Sequence, residues 1–224
     1  MNSFARRATA QSAVLLIPVA LTFVAAGSLR FWQGWLFWIV FLGSSTTLGI
    51  YFKIRDPALL ERRMKFGPQA ETRPRQKIIV AIMLATFFAL PIIAGLDHRS
   101  GWSQVPVAIV VLANLLILAI FGFFLLVLRA NSFAASTITV EPGQRVISTG
   151  PYAYVRHPMY SGGMLMFFAI PLAMGSLCAI LLAVIALPTL VARTLDEERA
   201  LSAELPGYDD YCRAVPSRLI PRVW

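Results

Sequence analysis

Four long apolar segments constrain the fold of this 224-residue chain more than any other feature of its sequence. They are Ala13–Leu29, Trp32–Phe52, Ile78–Leu96 and Val105–Leu128. Each has about the ~20 residues that a helix needs to cross a ~30 Å hydrocarbon core. Charged residues make up only 14% of the chain, whereas a soluble domain has ~25%. The sequence therefore predicts an all-α integral membrane protein with four transmembrane helices.

A fifth apolar stretch, Tyr160–Ala192, is too long for a single crossing. As one helix rising ~1.5 Å per residue it would extend about 50 Å. Pro171 and the Gly175-Ser176 pair interrupt it. We therefore expect a C-terminal helical hairpin over residues 160–192, which brings the total to five or six apolar helices. A hairpin also returns the chain to the side of the membrane from which it came.

The basic residues predict the orientation. With a cytoplasmic N-terminus, 18 of the 20 Lys and Arg residues fall on cytoplasmic segments, and only Arg30 and Arg99 face outwards. This is the distribution that the positive-inside rule requires. It explains the net charge of +9 without a nucleic-acid partner. We expect a multi-pass protein of a bacterial inner membrane with both termini cytoplasmic, and the basic loop Lys53–Lys77 acts as a topology determinant.

Several kinds of site have no counterpart in the sequence. It contains no P-loop, no Ser nucleophile elbow and no GxGxxG that opens a βαβ unit. Two separated histidines and two lone cysteines give neither a metal site nor a disulfide framework. We expect one polytopic domain over residues 1–224, with four spans in residues 1–128 and a catalytic region in residues 129–224. It would bind no metal, and no Rossmann domain would hold a cofactor.

Two polar segments flank the predicted hairpin. The first reads GPYAYVRHPMYSGG from Gly150 to Gly163. Pro158 suits the first turn of a helix, whose free N–H groups attract an anion. Arg156 beside it is well suited to a carboxylate, although it could equally be an interfacial residue. Nearby tyrosines could lie against a purine or a sulfonium cation, or simply mark the membrane interface; they are Tyr152, Tyr154 and Tyr160.

The second polar segment follows the hairpin and carries Asp196, Glu197 and Glu198. Arg193 precedes Glu197 by four residues, so the two share a helix face. They could be solvated ion pairs of little energetic weight. Alternatively, one of the two glutamates accepts hydrogen bonds from a ligand, and spacing alone does not separate them. Because a hairpin brings both polar segments to one side, we expect a single site.

The order of these motifs is specific. It runs Gly-Pro-Tyr, Arg-His-Pro, Tyr, a hairpin-length apolar run, Glu-Glu-Arg, Gly-Tyr-x-x-Tyr and Arg-Leu-Ile-Pro, from Gly150 to Pro221. This resembles the isoprenylcysteine carboxyl methyltransferase family in its small prokaryotic form, and more distantly the phospholipid N-methyltransferases. The Pro57–Arg63 stretch is also similar to prokaryotic members. The resemblance implies an integral-membrane methyltransferase that uses S-adenosylmethionine and acts on a lipophilic acceptor.

The resemblance also implies roles for individual residues. It places Arg193 and Glu197 at the reacting centre. It places the following around the cofactor: Tyr152, Arg156, His157, Pro158, Tyr160, Glu198, Tyr208, Tyr211 and Arg218. The partners it implies are a lipophilic small molecule or lipidated substrate and membrane lipid, with the oligomeric state left open.

The accepting atom stays open at this point. A carboxylate is nucleophilic at neutral pH and needs no base, so carboxyl O-methylation is our leading hypothesis. A phosphatidylethanolamine-type amine arrives protonated and needs a general base, which His157 or a glutamate could provide. Two further alternatives are an NADPH-dependent membrane enzyme of the sterol-reductase type and a non-enzymatic protein whose basic face binds anionic lipid.

Overall fold

The computed structural model describes residues 16–224, and that part of the chain is helical without β-strands. Helix α1 is described over Leu16–Ala26. It is followed by α2 (Trp32–Arg55), α3 (Pro57–Met64), α4 (Pro74–Ser100) and α5 (Val107–Ala130). A 3-10 turn at Gly150–Ala153 precedes α6 (Pro158–Ala173), α7 (Ile180–Glu204) and α8 (Tyr208–Ala214). The predicted all-α class is confirmed.

Within residues 16–224, three helices are long and apolar enough to cross a membrane, namely α2, α4 and α5. Two shorter apolar helices, α1 and α6, accompany them. The first predicted span begins at Ala13, outside the described residues. The count of four spans, the cytoplasmic termini and the bacterial inner membrane therefore remain predictions, whereas a membrane protein is what these helices indicate.

Prolines and polar caps determine where the helices begin and end. Proline occupies the first turn of α3, α4 and α6, where its missing N–H costs no hydrogen bond. Asp56 separates α2 from α3, and its Oδ1 accepts a hydrogen bond from the Leu59 N–H at 2.9 Å. Helix α4 ends at Gly101, whose φ of 65° is the left-handed conformation that glycine adopts without strain. These caps place the polar loops outside the apolar bundle.

Close helix packing depends on glycine at two crossings. A Cβ on Gly162 of α6 would lie 2.4 Å from the Phe124 ring of α5. A Cβ on Gly95 of α4 would lie 2.5 Å from the Thr22 carbonyl oxygen of α1. Helices without a hydrophobic driving force between them associate through such small-residue contacts. The α5–α6 and α4–α7 pairs form the largest interfaces in the described bundle.

The predicted helical hairpin is present as α6 and α7, joined by a turn at Gly175, whose φ is 73°. Its second helix does not stop at Ala192 but continues to Glu204, so the acidic cluster lies on a regular helix. At the tip, Ser176 Oγ donates a hydrogen bond to Asp97 at the end of α4. The open end of the hairpin lies at the opposite end of the bundle, beside both polar segments.

Candidate active site

A cavity lies at the open end of the hairpin. Its walls come from the α5–α6 connection, the start of α6, the last turns of α7, and α8. Most of the site residues predicted from sequence line it: Tyr152, Arg156, His157, Pro158, Tyr160, Glu197, Tyr208 and Tyr211. Three others do not line it but contact residues that do, namely Arg193, Glu198 and Arg218.

Glu198 organises the segment behind the cavity. It accepts hydrogen bonds from Arg156 Nε at 2.7 Å and Arg218 Nε at 2.8 Å, and lies 3.3 Å from His157 Nε2. Burial alone would raise the pKa of the Glu198 carboxyl, but the hydrogen bonds from His157, Arg218 and Arg156 outweigh burial and lower this pKa to about 2. Glu198 is therefore ionised, and the protein itself provides its partners. The structure thus distinguishes the two glutamates. Glu197 lines the cavity, and Glu198 faces the C-terminal segment that carries Arg218.

The C-terminal tail is bound to the Arg-His-Pro segment by main-chain hydrogen bonds. The Arg156 N–H donates to the Ser217 carbonyl and the His157 N–H to the Arg218 carbonyl, each at 3.0 Å. The Arg156 guanidinium also donates to the Val215 carbonyl at 2.8 Å. Arg156 is 7% exposed, and its Nε and Nη1 groups donate to these partners. Its guanidinium therefore holds the tail in place.

Arg193 fixes Glu197 through Tyr160. The Tyr160 hydroxyl donates to Glu197 and accepts from Arg193 Nε at 3.0 Å. On its other side, Arg193 Nη1 donates to Glu71 at 3.0 Å and Gln76 at 2.9 Å. Arg193 and Glu71 are 5% and 4% exposed. The arginine is committed to protein partners and positions the residues that face the cavity.

Tyrosine rings form one wall of the cavity. The Tyr211 hydroxyl donates to the Tyr152 carbonyl at 2.7 Å, and the Tyr208 hydroxyl lies 3.5 Å from His157 Nε2. Burial raises the pKa of Tyr152 to about 12, so its phenol stays neutral at physiological pH. Tyr154, 72% exposed, does not line the cavity.

The sequence reasoning missed the connection between α5 and the 3-10 turn. Its residues contribute a large part of the cavity wall: Thr137, Ile138, Thr139, Val140, Gln144, Arg145, Val146 and Ile147. The alternation of Thr with Ile and Val, followed by the Pro142-Gly143 turn, is a signal for an extended, half-buried segment. That signal could have identified a cavity wall here.

A second, apolar groove adjoins the cavity. It runs between α2, α5 and α6, and Arg63 and Met159 line both spaces. The groove wall is almost entirely hydrocarbon and aromatic, and includes Leu48, Phe52, Leu60, Phe121, Phe124, Leu128, Met166, Phe167 and Ile170. A ligand with a polar head and an apolar tail could therefore occupy the cavity and the groove together.

Fold and site together define a class: an all-α membrane protein with a charged, aromatic cavity joined to an apolar groove. Within residues 16–224 there is no group of three His, Cys, Asp or Glu side chains that could hold a metal ion. Residues 107–205 match the family model of the phospholipid methyltransferases, just under half of the chain. The match runs from the start of α5 past the end of α7, so it includes Arg156, His157 and both glutamates. It supports a membrane methyltransferase, and no curated protein matches the chain.

Proposed function

We propose that this protein is an S-adenosylmethionine-dependent membrane methyltransferase that methylates the carboxylate of a lipophilic acid, in the manner of the isoprenylcysteine carboxyl methyltransferases. The observation that carries this proposal is that the two spaces are adjacent. Arg63 and Met159 line both the cavity with charged and aromatic walls and the apolar groove. An enzyme that transfers a group from a polar donor to an apolar acceptor needs both spaces in contact.

The residues of the cavity fit the donor by their chemistry. S-adenosylmethionine carries a purine, an α-carboxylate and two positive charges, on sulfur and on the α-ammonium. Tyr152 and Tyr208 offer aromatic faces, which attract purines and cations. Arg145 would hold the carboxylate and Glu197 a positive charge. Glu197 is suited to this because it is 26% exposed and accepts a hydrogen bond only from Tyr160 among the described residues.

The reaction requires little acid–base chemistry from the protein. When bound, S-adenosylmethionine would supply an electrophilic methyl group that an acceptor carboxylate could take directly, with the thioether as leaving group. No proton moves, so the protein contributes mainly proximity and alignment. Opposite charges also neutralise each other in this step, so an apolar wall favours it over water. Arg193 and Tyr160 keep Glu197 aligned at the cavity.

Phospholipid N-methylation is the second candidate, because the matching family model is that of the phospholipid methyltransferases. An ammonium acceptor must lose a proton before it can attack. His157 lines the cavity with Nδ1 4.0 Å from Glu197, and either group could accept that proton. This candidate therefore requires a general base, which methylation of an already ionised carboxylate does not.

Calorimetric titration of S-adenosylmethionine into detergent-solubilised protein tests the donor. We expect saturable binding that weakens at least tenfold in Glu197→Gln and in His157→Ala. Glu204→Gln is the matched control, because Glu204 lies on the same helix but pairs with Arg73 outside the cavity. Folded wild-type protein that binds NADPH and not S-adenosylmethionine would replace this proposal with a reductase.

A further inference from the structure

Arg63 differs from the buried Arg156 and Arg193 in having no ion pair among the described residues. Arg156 pairs with Glu198 at 2.7 Å and Arg193 with Glu71 at 3.0 Å. Arg63 Nη1 donates only a 3.3 Å hydrogen bond to the Ala135 carbonyl, and no carboxylate of the described residues lies within 4.0 Å of its nitrogens. Arg63 is half-buried at the boundary between the cavity and the apolar groove, and Glu197 of the cavity wall acts on its charge from a longer distance. Its guanidinium is therefore available to a ligand carboxylate.

We propose that Arg63 is the residue that selects the acceptor, by pairing with a carboxylate whose apolar tail lies in the groove; this deepens the proposed function and rests on it. Burial lowers the pKa of the Arg63 guanidinium, but a guanidinium remains charged at any physiological pH. Helix α3 carries it to the junction, where Met159 is the other residue that both spaces share. A carboxylate at Arg63 is thus beside the donor cavity while its tail stays among hydrocarbon side chains.

Two selectivities follow from this placement. A protonated amine is repelled by Arg63, so the geometry opposes amine acceptors and favours acids. The methyl ester formed by the reaction carries no charge and loses its ion pair with Arg63. Substrate is therefore held more tightly than product, and the product can leave through the apolar groove without inhibiting the enzyme.

The groove also explains why the acceptor should be lipophilic. Its lining is dominated by Phe and Leu side chains from five helices, α2 to α6. Burying apolar surface is favourable in proportion to its area, so a long chain gains affinity without any specific polar contact. The tail supplies affinity, and Arg63 supplies the choice of head group.

Equilibrium binding of radiolabelled probes to protein in phosphatidylcholine nanodiscs tests the assignment without any turnover. The probes are palmitate and S-farnesylthioacetate, each compared with its methyl ester, so that two tail types are covered. For at least one pair we expect wild-type protein to bind the acid at least tenfold more tightly than the ester. Arg63→Gln should abolish that preference by weakening acid binding alone, and Arg63→Lys should restore part of it.

The control is Arg62→Gln, which removes the same charge from the same helix. Arg62 donates to the Ser132 carbonyl at 2.7 Å and lines neither space. The assignment is overturned if neither acid is preferred over its ester, if the control loses acid binding equally, or if Arg63→Gln weakens acid and ester alike. Calorimetry with S-adenosylmethionine on the same variants separates the two proposals. If Arg63→Gln still binds S-adenosylmethionine and keeps the preference for the acid, only the role of Arg63 is refuted. If the wild-type protein does not bind S-adenosylmethionine, the proposed function is refuted.

Discussion

Each end of the helical bundle holds a carboxylate, and the two carboxylates have opposite surroundings. At the hairpin tip, Asp97 is 1% exposed and accepts hydrogen bonds from the Ser103 N–H at 2.8 Å, Ser103 Oγ at 2.6 Å and Ser176 Oγ at 2.5 Å. At the open end, Glu197 accepts one from Tyr160 and otherwise faces a cavity. A carboxylate that the protein satisfies completely fastens the fold. One that it leaves partly unsatisfied is available to a ligand.

The same contrast applies to the arginines of the open end. Arg193 and Arg156 are paired with Glu71 and Glu198, whereas Arg63 has no acidic partner among the described residues. Substitutions of individual charged residues test this division between structural and ligand-facing charges.

Arg193→Met should cause the largest loss of stability. It leaves the buried Glu71 carboxylate without its partner, which costs about 3–5 kcal/mol in comparable buried pairs. Unfolding by SDS titration in mixed micelles measures the effect, and the double variant Arg193→Met/Glu71→Leu should recover most of it. If the single variant kept wild-type stability but lost methyl transfer, Arg193 would belong to the reacting centre instead.

Asp97→Ala should destabilise by about 3 kcal/mol, because hydroxyl and amide donors lose a charged acceptor in a buried site. The folded fraction should bind S-adenosylmethionine as the wild type does, since the hairpin tip is remote from the cavity. Unfolding and calorimetry on the same preparation check both statements. Weaker donor binding by fully folded protein would contradict the separation of the two ends.

Low pH should weaken the attachment of the C-terminal tail, because protonation of Glu198 removes its ion pairs with Arg156 and Arg218. The folded-state pKa of about 2 lies below the ordinary value of 4.5, so this stabilisation is present above pH 4.5 and is lost as pH falls towards 2. Between pH 7 and pH 3 the wild type should lose about 2 kcal/mol more than Glu198→Gln, which lacks this titration. Parallel SDS titrations across the pH range measure the difference. Identical pH dependence in both proteins would show that Glu198 is not held by Arg156 and Arg218.

Glu197→Gln should have the smallest effect on folding, below about 1 kcal/mol, because the amide still accepts from Tyr160. Its affinity for S-adenosylmethionine should nevertheless fall at least tenfold, which is a loss of about 1.4 kcal/mol in binding free energy. Comparison with Asp97→Ala then separates the two roles. The Asp97 carboxylate affects stability alone, and the Glu197 carboxylate affects binding of S-adenosylmethionine alone. A stability loss in Glu197→Gln as large as that in Asp97→Ala would remove the distinction between them.

Much of this architecture could be predicted from the sequence. Apolar length predicted the long helices, and Pro171 with Gly175 predicted the hairpin. The Arg-His-Pro segment and the acidic cluster were expected to meet, and His157 and Glu197 do lie together. These features depend on local rules of length, proline geometry and chain reversal, which act before any tertiary contact forms.

Other features depend on tertiary packing and could not be predicted. Glu197 and Glu198 are consecutive on α7, so their side chains point about 100° apart and packing decides which one faces the cavity. Arg63 was interpreted as part of a basic topology loop, because a cation near the membrane has the same sequence signature whether it faces headgroups or a cavity. The sequence predicts Arg193 at the reacting centre. Its hydrogen-bond partners Glu71 and Gln76 are more than a hundred residues away along the chain, so no local pattern indicates that they bind this arginine.

The chemical nature of the product decides between carboxyl methylation and N-methylation. Protein in nanodiscs would be incubated with methyl-labelled S-adenosylmethionine and either S-farnesylthioacetate or palmitate, and the labelled lipid then treated with base. We predict label in the lipid fraction that base releases as methanol, a loss of at least tenfold in Arg63→Gln, and retention in Arg62→Gln. Label that appears instead in a base-stable product formed from added phosphatidylethanolamine would contradict carboxyl methylation and establish N-methylation.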